Sequence, residues 1–101
     1  MDITGILMYL TIKTTPQDLP EPWQSLAMCE SSLRADVVSK TGKYHGLFQF
    51  DQRSWRYVGG TGLPSRASVR EQLTRAKKLQ KIQGWNAWPE CSKKLGLHNA
   101  K

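Results

Sequence analysis

The 101-residue sequence predicts a single α+β domain that is mostly α, with a short hairpin or irregular segment set between helices. Three observations carry that expectation. Residues 68–84 have the capping and periodicity of an amphipathic helix, and residues 21–32 those of a second one that opens on a proline. Between them, Ala35 to Phe50 has no helical period and holds turn residues such as Thr41 and Gly42. Hydrophobic residues make up 39% of the chain, four of them Trp, enough for one modest core and no more.

Taken in order, residues 1–21 read as an N-terminal extension and linker, and 22–101 as the folded domain. Ile3 to Ile12 suits either a short strand or a frayed end, and Thr14 to Pro22 is a linker punctuated by prolines. The longest apolar run, Ile6 to Leu10, falls far short of the roughly 20 residues a membrane span needs. Asp2 stands where a signal peptide carries positive charge, and no small-residue cleavage site follows, so no convincing signal peptide is present and the export question stays open.

Pro22 fits the first turn of a helix running from about Glu21 to Ser32. Its apolar stripe is Trp23, Leu26 and Ala27, and Glu30 falls on the same stripe at i+7 from Trp23. A half-buried carboxyl resists ionisation because burial disfavours its charged form. Such a group holds a proton near neutral pH and can deliver it as a general acid. The same spacing also suits a solvated glutamate in a last helical turn.

After the turn-rich stretch and the run Phe48, Gln49, Phe50, Asp51 fits the N-cap of a helix through about Val58, stopped by Gly59 and Gly60. The longest helix follows. Ser68 and Glu71 make a capping box, Val69, Leu73, Ala76, Leu79 and Ile82 form its stripe, and Gly84 ends it. Its other face, Arg70, Lys77, Lys78 and Lys81, reads as a solvated basic surface in preference to a binding groove. At least two of the four Trp are expected in the core.

Fifteen Lys and Arg against eight acidic residues give a net charge of +7, which favours an anionic partner: nucleic acid, an acidic polymer or a cell envelope. Cys29 and Cys91 fit either a bridge or two buried thiols. A bridge would close a loop of about 60 residues, stabilise by roughly 4 kcal/mol in the chain-entropy model, and mark an oxidising, extracytoplasmic compartment. His45 and His98 share no ligand spacing with the cysteines, so no metal is expected. Phosphate-loop, dinucleotide and serine-nucleophile signatures are missing, and no cofactor is implied.

Three segments carry a resemblance: Cys29-Glu30-Ser31-Ser32, Val38-Ser39-Lys40-Thr41-Gly42 and Gly46-Leu47-Phe48-Gln49. Together they resemble the signature of soluble lytic transglycosylases, which have a lysozyme-like fold. Trp23 to Glu30, Gly46 to Gly60, Ala67 to Gln72 and Gln83 to Cys91 are similar to a narrower family, the resuscitation-promoting factors of actinobacteria. The similarity covers residues 22 to 96.

The resemblance implies cleavage of the β-1,4 bond between N-acetylmuramic acid and N-acetylglucosamine in peptidoglycan, leaving 1,6-anhydromuramoyl ends, with Glu30 as the one catalytic acid and base. It implies that Ser39 contacts substrate, that Gln49 and the backbone at Phe48 line the sugar cleft, and that Cys29 pairs with Cys91. That bridge would pin the residue beside Glu30. Tyr44, Trp55 and Trp88 are the aromatics expected to pack the cleft or to meet sugars. The sequence departs from the resuscitation-factor pattern in two places, both toward the transglycosylases. Ser32 and Leu33 replace a Gly-Gly pair, and Tyr44-His45-Gly46-Leu47-Phe48-Gln49 replaces Tyr-Tyr-Gly-Gly-Leu-Gln.

A lysozyme-type hydrolase would need a second carboxylate. Asp36 and Asp51 are the nearby candidates, and Asp51 is already explained as a helix cap. A basic nucleic-acid-binding domain would account for the charge and leave Glu30 unexplained. The expected protein is a monomer acting on glycan strands at an anionic envelope, without membrane insertion or nucleic acid. It is either secreted to the cell wall or encoded by a phage and delivered by a holin or virion.

Overall fold

The computed structural model describes residues 14–97, so the strand or frayed end expected at Ile3 to Ile12 and the residue His98 lie outside the described part. Four helices are present among the described residues: α1 Trp23–Ser31, α2 Gln52–Tyr57, α3 Val69–Gln83 and α4 Pro89–Lys94. Short 3-10 turns at Pro16–Asp18, Pro64–Arg66 and Gly84–Ala87 complete the regular structure. The mostly α expectation holds. No helix among the described residues is long and apolar enough to cross a membrane.

Local chemistry explains the helix ends. Asp51 caps α2 by accepting the Ser54 N–H at 2.7 Å, and Ser68 caps α3 by accepting the Glu71 N–H at 3.0 Å. Glu21 accepts both the backbone N–H and the hydroxyl of Ser25 at the start of α1. At the other end of α1 the backbone turns left-handed at Ser32 and Leu33, with φ of 56° and 60°. That conformation favours glycine, so this chain makes the turn with two residues for which it is strained.

The core gathers Leu19, Trp23, Leu26, Ala27, Leu47, Phe48, Phe50, Trp55, Val58, Ala76, Leu79, Trp88 and Cys91, so all four helices and the 47–50 segment contribute. Its centre is aromatic. Trp23 meets Phe48 edge-on at 5.7 Å, Trp88 edge-on at 5.8 Å and Trp85 at 4.9 Å. Three of the four Trp are buried, in line with the expectation for this residue type.

Two parts of the α3 expectation are corrected. Ile82, in the last turn before the helix ends at Gly84, stays 49% exposed. In its place the buried stripe includes Gln72, a polar residue with no exposed surface. Gln72 Nε2 donates to the carbonyls of Ala35 and Ala67, and Oε1 accepts the Leu47 N–H at 2.8 Å. Burial of an amide is tolerated when its donors and acceptors are met in this way. A Cβ on Gly46, itself at φ +82°, would collide with the Gln72 amide. Gln72 therefore clips the segment 35–47 onto α3.

That segment is irregular chain with isolated antiparallel bridges, Val38 to His45 and His45 to Phe50. His45 is buried within it and structural: its Nε2–H donates to the Gly42 carbonyl at 3.1 Å, which leaves Nδ1 to accept from the Ser65 hydroxyl at 2.9 Å. The exposed faces of α3 carry Arg70, Lys77, Lys78 and Lys81 as expected, and the one ion pair among the described residues is Arg75 with Glu71 at 2.7 Å.

Candidate active site

An open cleft of about 410 Å³ runs between the end of α1, the 44–51 segment and the start of α4. Glu30, Tyr44, Gln49, Asp51, Trp88 and Glu90 line it together with Ala87 and Pro89. Each side chain is brought there by a local cause. Glu30 lies one turn past Leu26 on the buried side of α1, so its carboxyl ends at the edge of the core, half-buried. Gln49 adopts φ +50°, and its Nε2 donates to the Gly46 carbonyl at 3.0 Å. Backbone strain of this kind in an ordinary residue is found where a side chain must be aimed. Trp88 is fixed by its indole N–H, which donates to the Phe48 carbonyl at 2.9 Å.

The disulfide between Cys29 and Cys91 is formed, with Cα atoms 5.9 Å apart. It ties α1 to α4. Because Glu30 follows one cysteine and Glu90 precedes the other, the same bridge brings two carboxylates to the cleft. Burial pushes the Glu30 carboxyl up from 4.5 to about 7, and the negative charge of Glu90 adds to the push. No hydrogen bond from a described residue satisfies that carboxyl, so it is free for a ligand. Among the described residues no group of three His, Cys, Asp or Glu side chains is placed to hold a metal.

The sequence-derived site residues do not all meet here. Glu30, Tyr44 and Gln49 do. Phe48 is fully buried and offers the site its carbonyl, through Trp88, while its ring fills the core. Ser39 does not line the cleft. Its hydroxyl accepts the Tyr44 N–H at 3.1 Å and pairs with Thr41 at 3.2 Å, shaping the turn that carries Tyr44. Trp55 is corrected outright: it has no exposed surface, packs edge-on to Phe50 at 5.1 Å and donates its N–H to the Thr61 carbonyl. Gly60 sits against its indole so closely that a Cβ would overlap the ring, which explains the second glycine of the pair. No sugar can reach that ring.

Glu90 was not foreseen in the sequence, although the cysteine pairing implies its position beside Glu30. Asp51 is both cap and cleft wall, a double role that a capping pattern alone conceals.

A small, mostly helical domain with a half-buried glutamate beside its disulfide, lining an open cleft, has the character of a lysozyme-like domain. The chain belongs to the transglycosylase-like domain family, whose model matches residues 18–91. It is 50% identical over 80 residues to the resuscitation-promoting factor Rpf of Micrococcus luteus, covering 79% of this chain and 35% of that protein. With the resuscitation-promoting factor RpfC of Mycobacterium tuberculosis it shares 39% identity over 79 residues, 77% of this chain and 56% of the relative. Against Rpf2 of Corynebacterium glutamicum the figures are 38% over 78 residues, 74% and 21%. The chain thus spans between about a fifth and just over half of the length of these relatives.

Proposed function

We propose that this domain cleaves peptidoglycan between N-acetylmuramic acid and N-acetylglucosamine, by transglycosylation with Glu30 as its one proton carrier. The observation that carries the reading is a carboxyl held at about 7 in an open cleft with no hydrogen-bond partner among the described residues. In the first step the Glu30 carboxylic acid gives its proton to the bridging oxygen, the bond from that oxygen to C1 of muramic acid breaks, and the N-acetylglucosamine end leaves with a hydroxyl. In the second, the Glu30 carboxylate takes the proton of the C6 hydroxyl as that oxygen bonds to C1. Glu30 ends protonated, no water is consumed, and the product is a 1,6-anhydromuramoyl end. Tyr44, Gln49 and Trp88 hold the sugars in register with the acid.

A second reading has support from one observation: Asp51 lines the same cleft. As a second carboxylate across the bond it would suit a hydrolase. Against that role, Asp51 Oδ1 is committed to the Ser54 N–H at 2.7 Å.

The disulfide and the charge of +7 support action outside the cytoplasm, on the cell wall, where anionic polymers attract the basic faces. The test is turbidity loss of purified walls with the wild type and Glu30→Gln, followed by mass spectrometry of the products. Anhydro ends with the wild type and none with the variant are expected. Reducing muramic acid ends would replace transglycosylation by hydrolysis, and an active Glu30→Gln would end the assignment of Glu30.

A further inference from the structure

The cleft at Glu30 does not stop at Asp51. A small recess shares Tyr44, Gln49, Asp51, Ala87 and Trp88 with it and reaches Ser54 and Leu79. Ser54 in turn lines a further open depression of about 300 Å³ with Arg53, Tyr57 and Gln83. The three are thus joined residue to residue along α2 and the end of α3. From Asp51 to Tyr57 the helix rises about 9 Å, which sets this depression beyond the sugar nearest the acid.

Its chemistry differs from that of the cleft. The Glu30 end carries Glu30, Asp51 and Glu90 and suits neutral sugar rings and their hydroxyls. The far end carries no acidic side chain in its lining, and Arg53 there is exposed and pairs with no carboxylate among the described residues. Tyr57 beside it is 64% exposed and stacks on no other described ring, the most exposed of the large hydrophobic side chains among the described residues. Gln83 and the Ser54 hydroxyl add polar groups that make no hydrogen bond with described residues. An unpaired guanidinium next to a free aromatic face suits a ligand with a carboxylate and an apolar body.

We propose that Arg53, Tyr57 and Gln83 form a distal subsite that reads the peptide carried by muramic acid, Arg53 pairing with a peptide carboxylate and Tyr57 supporting the peptide's apolar side. This rests on the reading of the substrate as peptidoglycan. On an intact glycan strand the lactyl carboxyl of each muramic acid is tied up in the amide that holds the peptide, so the carboxylates the strand offers are those of its short peptides. The subsite therefore selects peptide-bearing strands over bare glycan.

The test separates the subsite from the cleavage reaction. Soluble peptidoglycan fragments with intact peptides, and N-acetylglucosamine oligosaccharides of the same length, which carry no carboxylate, are titrated calorimetrically at low salt against Glu30→Gln and against Glu30→Gln carrying Arg53→Ala, Arg53→Lys or Tyr57→Ala. Arg53 and Tyr57 are exposed, so these variants keep the fold. Arg53→Ala is expected to weaken peptide-bearing fragments about three- to tenfold and to leave the oligosaccharides unchanged, with Arg53→Lys in between. Tyr57→Ala weakens the peptide-bearing fragments as well. Equal effects on both ligands, no effect of Arg53→Ala, or no binding of either ligand would overturn the subsite. If the wild type leaves walls intact while Arg53 still discriminates between the two ligands, the cleavage reading falls and the subsite stands.

Discussion

Glu30→Gln should make the protein more stable at the pH where it abolishes activity. In the fold the Glu30 carboxyl titrates at about 7 against 4.5 when free, because burial and then Glu90 penalise its charge. At about 1.36 kcal/mol per tenfold change in proton affinity, the difference sets an upper limit of about 3.4 kcal/mol. Water in the open cleft screens a half-buried group, and about 2 kcal/mol is the expected effect. The sign follows from linkage: with the folded value raised, the stability that goes with the protonated form is fully present below 4.5 and is lost as pH rises to about 7. Glutamine never ionises. Urea unfolding with the disulfide intact should therefore show the wild type and the variant nearly equal at pH 4, diverging through pH 7, and separated by about 2 kcal/mol in favour of Gln above it. A difference that does not change with pH, or a variant less stable than the wild type at pH 8, would refute the claim that Glu30 is strained by its own charge.

The activity profile should fall as pH rises through about 7, when the acid needed for the first step is lost. Glu90→Gln removes the smaller of the two causes and should shift that falling limb to lower pH, read from rates of wall lysis across pH 5 to 9; an unmoved limb would show that burial acts alone. Gln72→Leu leaves the Leu47 N–H and the Ala35 and Ala67 carbonyls without their partner, and denaturant unfolding should report a loss of about 3 kcal/mol or more. Replacing both Cys29 and Cys91 by Ser opens a loop closed across 62 positions, and thermal unfolding should show a loss of about 4 kcal/mol.

Helix positions were legible because their signals are local. Asp51 and Ser68 announce their caps within three residues, and Trp23, Leu26 and Ala27 fix the buried side of α1. Polar burial was not legible. Gln72 lies on the same face as Ala76 and Leu79, but a search for apolar periodicity skips it, and the groups that satisfy it come from a loop far earlier in the chain. Trp55 shows the opposite error: an aromatic beside a glycine pair reads as a sugar platform until Gly60 is seen packed on its ring. Of the site, Glu30 could be found by its position on a helix stripe and by its motif, and Gln49 and Tyr44 by the motif. Glu90 and the second role of Asp51 depend on which elements face each other, and the track along α2 to Arg53 and Tyr57 depends on the shape of the folded surface.

The bond between Cys29 and Cys91 lies between two glutamates as well as two helices. Before it closes, α4 is held to α1 by packing alone, and Glu90 has a longer leash from the acid it repels. Closure shortens that leash and adds the second of the two pushes on the Glu30 proton. The covalent step that locks the two helices thus also bears on the charge balance at Glu30, adding to the larger effect of burial.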